Sequence, residues 1–295
     1  LNPVPKSILT TANAYNSAKS INLSVLGVYS SLQARVQTDY ELMEVPSGNM
    51  WAAYFVTPGL DEISTLSVSP QNEILDDYWK ANYQGIFRAN TVLANIDKPT
   101  DYATGEKDQY VGEAEFLRAK FYFDLVSFFG GVPIVTEPLS IPDSYNVPVS
   151  TPEQVYDLIV ADLTDAAQLL PAAYGDGDIG RATSWAAKGY LGKVYLFRSG
   201  YPLKKNEWDK ALAQFNDVIN SGNFVFFPNY ADIYSQLFET GKQSVFSIRF
   251  ANTAVGEGNS FPSRNAPNSI SKNDVPYGGS PYNLFGSSDL AESYE

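Results

Sequence analysis

The residue types that carry most enzyme chemistry are missing from this sequence: it contains no Cys and no His. Thiol and imidazole nucleophiles, histidine bases, Ser-His-Asp triads and Cys/His metal sites are excluded with them. Any catalysis would rest on carboxylates, Lys or Tyr. Their densest grouping is Glu113, Glu115, Arg118, Lys120 and Asp124, inside the aromatic-rich run GEAEFLRAKFYFDLVSFFGGVPIV. Glu113 and Glu115 stand two apart and so point to different sides of a helix, which argues against a paired-carboxylate dyad. Glu115 with Arg118 and Lys120 with Asp124 have the spacing of surface ion pairs, each contributing about 0.2–0.5 kcal/mol. Asp76-Asp77 reads as a complement to a helix dipole and Asp176-Gly177-Asp178 as a turn, with a calcium site as the other reading of each. No catalytic residue, metal site or cofactor is expected.

Composition narrows the partners. Of 295 residues, 20 are Lys or Arg and 33 are Asp or Glu, a formal charge of -13. An acidic chain without a basic tract is a poor candidate for nucleic acid, an anionic membrane surface or a highly sulfated polymer. The 20 tyrosines suit polar, uncharged ligands and helix packing equally. No apolar run approaches the ~18 residues of a membrane-spanning helix.

The elements that must position any site are mostly helices. Ile21, Val25, Val28 and Leu32 recur at helical spacing, predicting a helix over 11–36. Ser69-Pro70 reads as an N-cap with Pro at the first helical position, followed by a face of Leu75, Trp79, Ile86, Leu93 and Ile96 and a stop at Pro99. The aromatic run predicts a helix over 111–129 that is apolar around more than half its circumference, hence packed on two sides, and closed by Gly130-Gly131. Thr151-Pro152-Glu153-Gln154 has capping-box spacing ahead of Val155, Ile159, Leu163, Ala166 and Leu170. Further helices are expected over 181–198 and 206–221. Residues 224–227 and 244–250 read as short strands; the apolar run at 50–56 fits helix or strand. The stretch 251–286 is rich in Gly, Pro, Asn and Ser and has no period.

Helices joined in pairs call for a repeat check. Leu191-Gly192-x-x-Tyr195 and Ala211-x-x-x-Phe215 match the two helices of a tetratricopeptide repeat. Ala211 follows Tyr195 by 16 positions instead of about nine, so the turn between them carries an insertion around 199–205. The expected fold is mainly α: a tetratricopeptide-like solenoid of helical pairs with long ligand-binding loops and a few short strands. A single domain is expected over 1–295, with the solenoid at about 9–222 and a loop- and strand-rich segment at about 223–295.

A resemblance adds to this. Gly112-Glu113-Ala114-Glu115-Phe116-Leu117-Arg118-Ala119, then Tyr122-Phe123-Asp124-Leu125 and Phe129-Gly130-Gly131-Val132-Pro133, resembles the signature of SusD-like (RagB/SusD) nutrient-binding lipoproteins. Leu26-Gly27-Val28-Tyr29, Arg88-Ala89-Asn90, Asp162-Leu163, Gly180-Arg181-Ala182-Thr183 and Trp208-x-x-Ala211 follow the family order. The resemblance implies a cell-surface protein that captures glycans and delivers them to a TonB-dependent transporter of the SusC type. It implies an outer-membrane location, with membrane contact only through an N-terminal lipid anchor absent from this chain. The start at Leu1-Asn2-Pro3-Val4-Pro5 is expected to be a trimmed one, and the chain is expected to lack a C-terminal portion of the family fold.

A glycan binder needs exposed aromatic faces for sugar rings and polar side chains for hydroxyls, and loops are the usual place for both. One loop region offers Arg35, Asp39, Tyr40, Trp51, Tyr54 and Asn72; the other offers Tyr277, Tyr282 and Asn283. The expected ligand is a neutral oligo- or polysaccharide, with Trp51 the leading contact. Two other functions fit the same sequence: a peptide-binding scaffold of the tetratricopeptide type, and a carboxylate-dependent glycoside hydrolase.

Overall fold

The computed structural model describes residues 14–48, 50–52, 59–229, 232, 242–250 and 284–286, the two short strands by their backbone. The fold is mainly α. In chain order the elements are α1 (Ala18–Gln33), α2 (Val36–Glu44), β1 (Met50–Ala52), α3 (Leu60–Ser64), α4 (Glu73–Asn95), α5 (Glu106–Phe129), α6 (Ile141–Ser144), α7 (Pro152–Leu169), α8 (Ser184–Ser199), α9 (Trp208–Asn220) and β2 (Leu284–Gly286). Among the described residues none of these helices is long and apolar enough to cross a membrane. The chain divides into two compact units, one of Leu1–Ser30 with Asn82–Ile248, the other of Ser31–Ala81 with Arg249–Glu295.

In the first unit α5 packs on α7, α7 on α8 and α8 on α9, a succession of neighbours as in a helical solenoid. Helix α5 is buried nearly all round: Phe116, Leu117, Phe121, Tyr122 and Leu125 are inaccessible to solvent. Small residues let the helices close. A Cβ at Gly192 of α8 would lie 2.8 Å from the Phe215 ring of α9, so these two helices meet through a glycine and a phenylalanine. The turn between these helices is tied back by Glu207 N–H donating to Ser199 Oγ at 2.6 Å and Lys205 N–H donating to the Arg198 carbonyl at 2.9 Å.

Helix starts follow local chemistry. Thr151 and Gln154 form the expected capping box at α7, and Thr183 Oγ1 accepts the Ala186 N–H at 3.2 Å to cap α8. At α4 the cap is Asn72, three residues beyond Ser69: its Oδ1 accepts the Leu75 N–H at 3.1 Å. Of the expected face of α4, Ile86 is buried, as is Ile96 just past its end, and the buried face otherwise runs through Tyr78, Asn82, Ala89, Asn90 and Val92. Trp79 and Leu93 are half-buried, whereas a small alanine and two asparagines are fully buried. Residues 224–227 and 244–250 do not form strands. Val225 N–H donates to the Lys242 carbonyl at 3.1 Å and Phe227 N–H to Gln243 Oε1 at 3.0 Å, both just ahead of the second segment.

The charged residues of the aromatic helix are internal. Arg118 is 7% exposed and donates from Nε and Nη2 to both Asp162 oxygens, at 2.8 and 2.7 Å, and from Nη1 to Asn90 Oδ1 at 2.9 Å. Lys120 and Asp124 pair with each other while buried. The expectation of surface pairs fails because spacing along one helix says nothing about what the next helix covers. Asn90 and Tyr122 also hold the chain after α5, donating to the Val135 carbonyl at 2.8 and 3.0 Å, and Tyr83 donates to the Pro133 carbonyl at 2.7 Å. Elsewhere Arg181 binds Glu113 at 3.0 Å and Asn22 Oδ1 at 2.6 Å, Tyr29 Oη accepts the Ala182 N–H at 2.7 Å, and Arg88 donates to the Gly27 carbonyl at 2.9 Å. The polar residues of the sequence motifs are thus stitches between helices distant in sequence.

Candidate functional site

The second unit contains both loop regions from which a sugar platform was expected. Its one described ladder joins them. β1 runs antiparallel to β2, with Met50 opposite Gly286, Trp51 opposite Phe285 and Ala52 opposite Leu284. The backbone at Trp51 therefore lies beside the chain that follows directly on Tyr282 and Asn283. Tyr54, Tyr277, Tyr282 and Asn283 themselves lie outside the described residues, as does most of the 251–286 stretch. Pairing by Leu284–Gly286 carries no sequence signal, being only three residues long and embedded in Gly- and Ser-rich chain.

The remaining candidates are in view. Arg35 opens α2 and is 2% exposed, its guanidinium 5.3 Å from the centroid of the Tyr78 ring and its Nη2 3.6 Å from Asp39 Oδ2. Cation–ring stacking and the ion pair hold Arg35 inside the unit. Asp39, one turn further on, is more accessible than its partner. Tyr40 is half-buried, and burial, followed by the charge of Glu44, raises its phenol above the ordinary range.

Asn72 is 4% exposed and fully employed. Besides capping α4, its amide donates to the Gly59 carbonyl at 2.8 Å and to Glu62 Oε2 at 3.0 Å. Glu62 also accepts the Ser69 N–H at 2.9 Å. The Asn72 amide, then the Ser69 N–H, hold the Glu62 carboxyl below its usual range. Asn72 is therefore the clamp that fixes the turn between α3 and α4 in this structure, a different task from the exposed sugar contact expected of it. Its residue type was compatible with either; only the positions of Gly59 and Glu62 decide.

Several carboxylates that could serve a hydrolase are engaged. Glu113 is 0% exposed against Arg181, and Asp162 is held by Arg118. Burial raises both acids above their ordinary values, against the pull of their arginines. Asp76 pairs with Lys80, and Asp178 with Arg181 at 2.7 Å. No group of three or more acidic side chains positioned to hold a metal occurs among the described residues.

A family described as "SusD-like, starch-binding associating with outer membrane" matches residues 8–196. The chain belongs to the SusD-like family. It is 28% identical over 258 residues to a SusD-like protein of Bacteroides ovatus, covering 85% of this chain and 46% of the relative. A SusD-like protein of Formosa agariphila is 24% identical over 263 residues, covering 86% and 49%. Among solved structures, a laminarin-binding SusD-like protein superposes with a TM-score of 0.77 at 26% identity, over 86% of this chain and 58% of that one. The chain spans about half the length of the curated relatives it matches. The SusD-like match accounts for the order of the sequence motifs, which the fold uses as interhelical stitches.

Proposed function

We propose that this SusD-like chain is a non-catalytic glycan-binding protein. It captures neutral oligosaccharide at the outer face of the outer membrane and passes it to a TonB-dependent transporter of the SusC type. In this reading the precursor is held to the membrane by an N-terminal lipid anchor, and the chain forms part of one SusD-like domain. Family membership carries the proposal, and a solved relative that binds laminarin gives it a ligand class. The β1–β2 ladder supports a platform built from both loop regions, with Trp51 at its centre and Tyr54, Asp39, Tyr277, Tyr282 and Asn283 around it. The engagement of Glu113 and Asp162 in buried ion pairs favours binding over hydrolysis.

Affinity electrophoresis tests the reading. The protein is run through gels containing neutral polysaccharides, laminarin among them, beside Trp51→Ala. One polymer should retard the protein without releasing reducing ends, and loss of the indole face should weaken that retardation about tenfold, equivalent to ~1–2 kcal/mol of stacking. A folded protein that no polymer retards, or a variant that migrates like the parent in every gel, refutes it.

A further inference from the structure

A pocket in the first unit plays no part in the function just proposed. It lies between α8, α9 and the chain at 243–246 and has a volume of about 650 Å³, within the roughly 300–1,000 Å³ of small-molecule sites. Phe215, Val218, Ile219 and Val245 supply apolar walls. Two further lining rings, Tyr190 and Phe246, are locked edge-to-face with each other and with buried Phe116, at centroid separations of 5.0–6.4 Å. Such a wall is preformed.

Lys193 is the one charged residue among those described that line the pocket. Its Nζ stands 5.3, 5.9 and 5.8 Å from the ring centroids of Phe123, Tyr190 and Phe197. No carboxylate lies within ion-pair distance of it among the described residues, and the nearby Asp124 is already taken by Lys120. Lys193 is thus a second cation beside a neutralised pair, half-buried in a chain that is acidic overall. Burial, then the charge of Lys120, lowers its pKa, and Asp124 opposes them. An anion from a ligand would oppose both effects by its charge. Gln243, also at the wall, accepts the Phe227 N–H on its Oε1 at 3.0 Å.

We propose that this pocket binds an amphipathic carboxylate: an aryl or alkyl acid whose apolar body fills the cavity and whose carboxylate pairs with the Lys193 ammonium.

Isothermal titration of the whole chain with phenylbutyrate, and with phenylbutanol as its neutral counterpart, tests this. Two variants separate charge from shape. Lys193→Met keeps an unbranched side chain one atom shorter and removes the cation. Gly189→Leu fills the pocket; a Cβ there meets only Val245 Cγ1, at an ordinary 3.7 Å, and leucine is the better helix former. The acid should bind the parent at least about tenfold more tightly than the alcohol. Lys193→Met should abolish that preference while leaving the alcohol's affinity unchanged, and Gly189→Leu, folded by circular dichroism, should bind neither. The proposal is overturned if neither compound binds the parent, if the two bind equally, if the preference survives in Lys193→Met, or if Gly189→Leu still binds the acid. Polysaccharide retardation of both variants should match the parent, so the two readings fail separately.

Discussion

At the scale of single residues the charged side chains of α5 carry the clearest consequences. Glu115 is half-buried, and its Oε2 is shielded from water without a hydrogen-bond partner. Burial, followed by the charge of Asp162, pushes its pKa up to about 7, against the opposing pull of Arg118. A folded-state pKa above the ordinary 4.5 means that the fold holds this proton more tightly than the unfolded chain does. The associated stability is complete below the unfolded pKa and is lost as pH rises through about 7. Glu115→Gln, neutral at every pH, should therefore match the parent near pH 4 and exceed it at pH 8, by about 1–2 kcal/mol once partial exposure is allowed for. Thermal melts of both proteins across this range measure the difference; a variant no more stable than the parent at pH 8 contradicts the assignment. The sequence placed Arg118 three residues from Glu115, but the bidentate partner of Arg118 is Asp162, on another helix. No spacing rule reaches that far.

Elements were the most legible level. The Thr151 capping box, the buried stripes of α1 and α7 and the aromatic core helix could all be read before the structure, because each is set by residues within a turn or two of one another. Helix α4 is capped by Asn72 and not by Ser69: both are good caps, and tertiary contacts to Gly59 and Glu62 select the second. Glycines show the same divide. Gly85 sits inside α4, where propensity alone favours alanine by about 1 kcal/mol. A Cβ there would stand 2.3–2.6 Å from the Phe121 ring, which is fully buried and has no room to withdraw. Gly85→Ala should consequently cost about 1–3 kcal/mol, the usual toll of overpacking. Gly27 in α1 has nothing within 4 Å of its Cβ position, and Gly27→Ala is the matched control, expected to hold or gain stability. Chemical denaturation of the pair distinguishes local preference from packing; equal midpoints would show that the α4–α5 approach is looser than described.

At the scale of the whole molecule, charge is the property that a partner meets first. With a formal charge of -13 the chain should bind neutral polymers without dependence on salt and should not be retarded by a sulfated polysaccharide at low ionic strength. Retardation by a sulfated polymer that fades with added salt would reveal a local basic patch and displace the neutral-glycan reading. The absence of His and Cys, the acidity, the helical periods and the ordered motifs were all available from the sequence, because composition and short-range spacing are local quantities. The division of the chain, the pairing of Trp51 with Phe285, the withdrawal of Arg35 and Asn72 into the second unit and the cage around Lys193 were not. Each depends on which side chains from remote segments share one neighbourhood, and burial, which decides whether an arginine or an asparagine meets a ligand or holds the scaffold, exists only once those segments have packed.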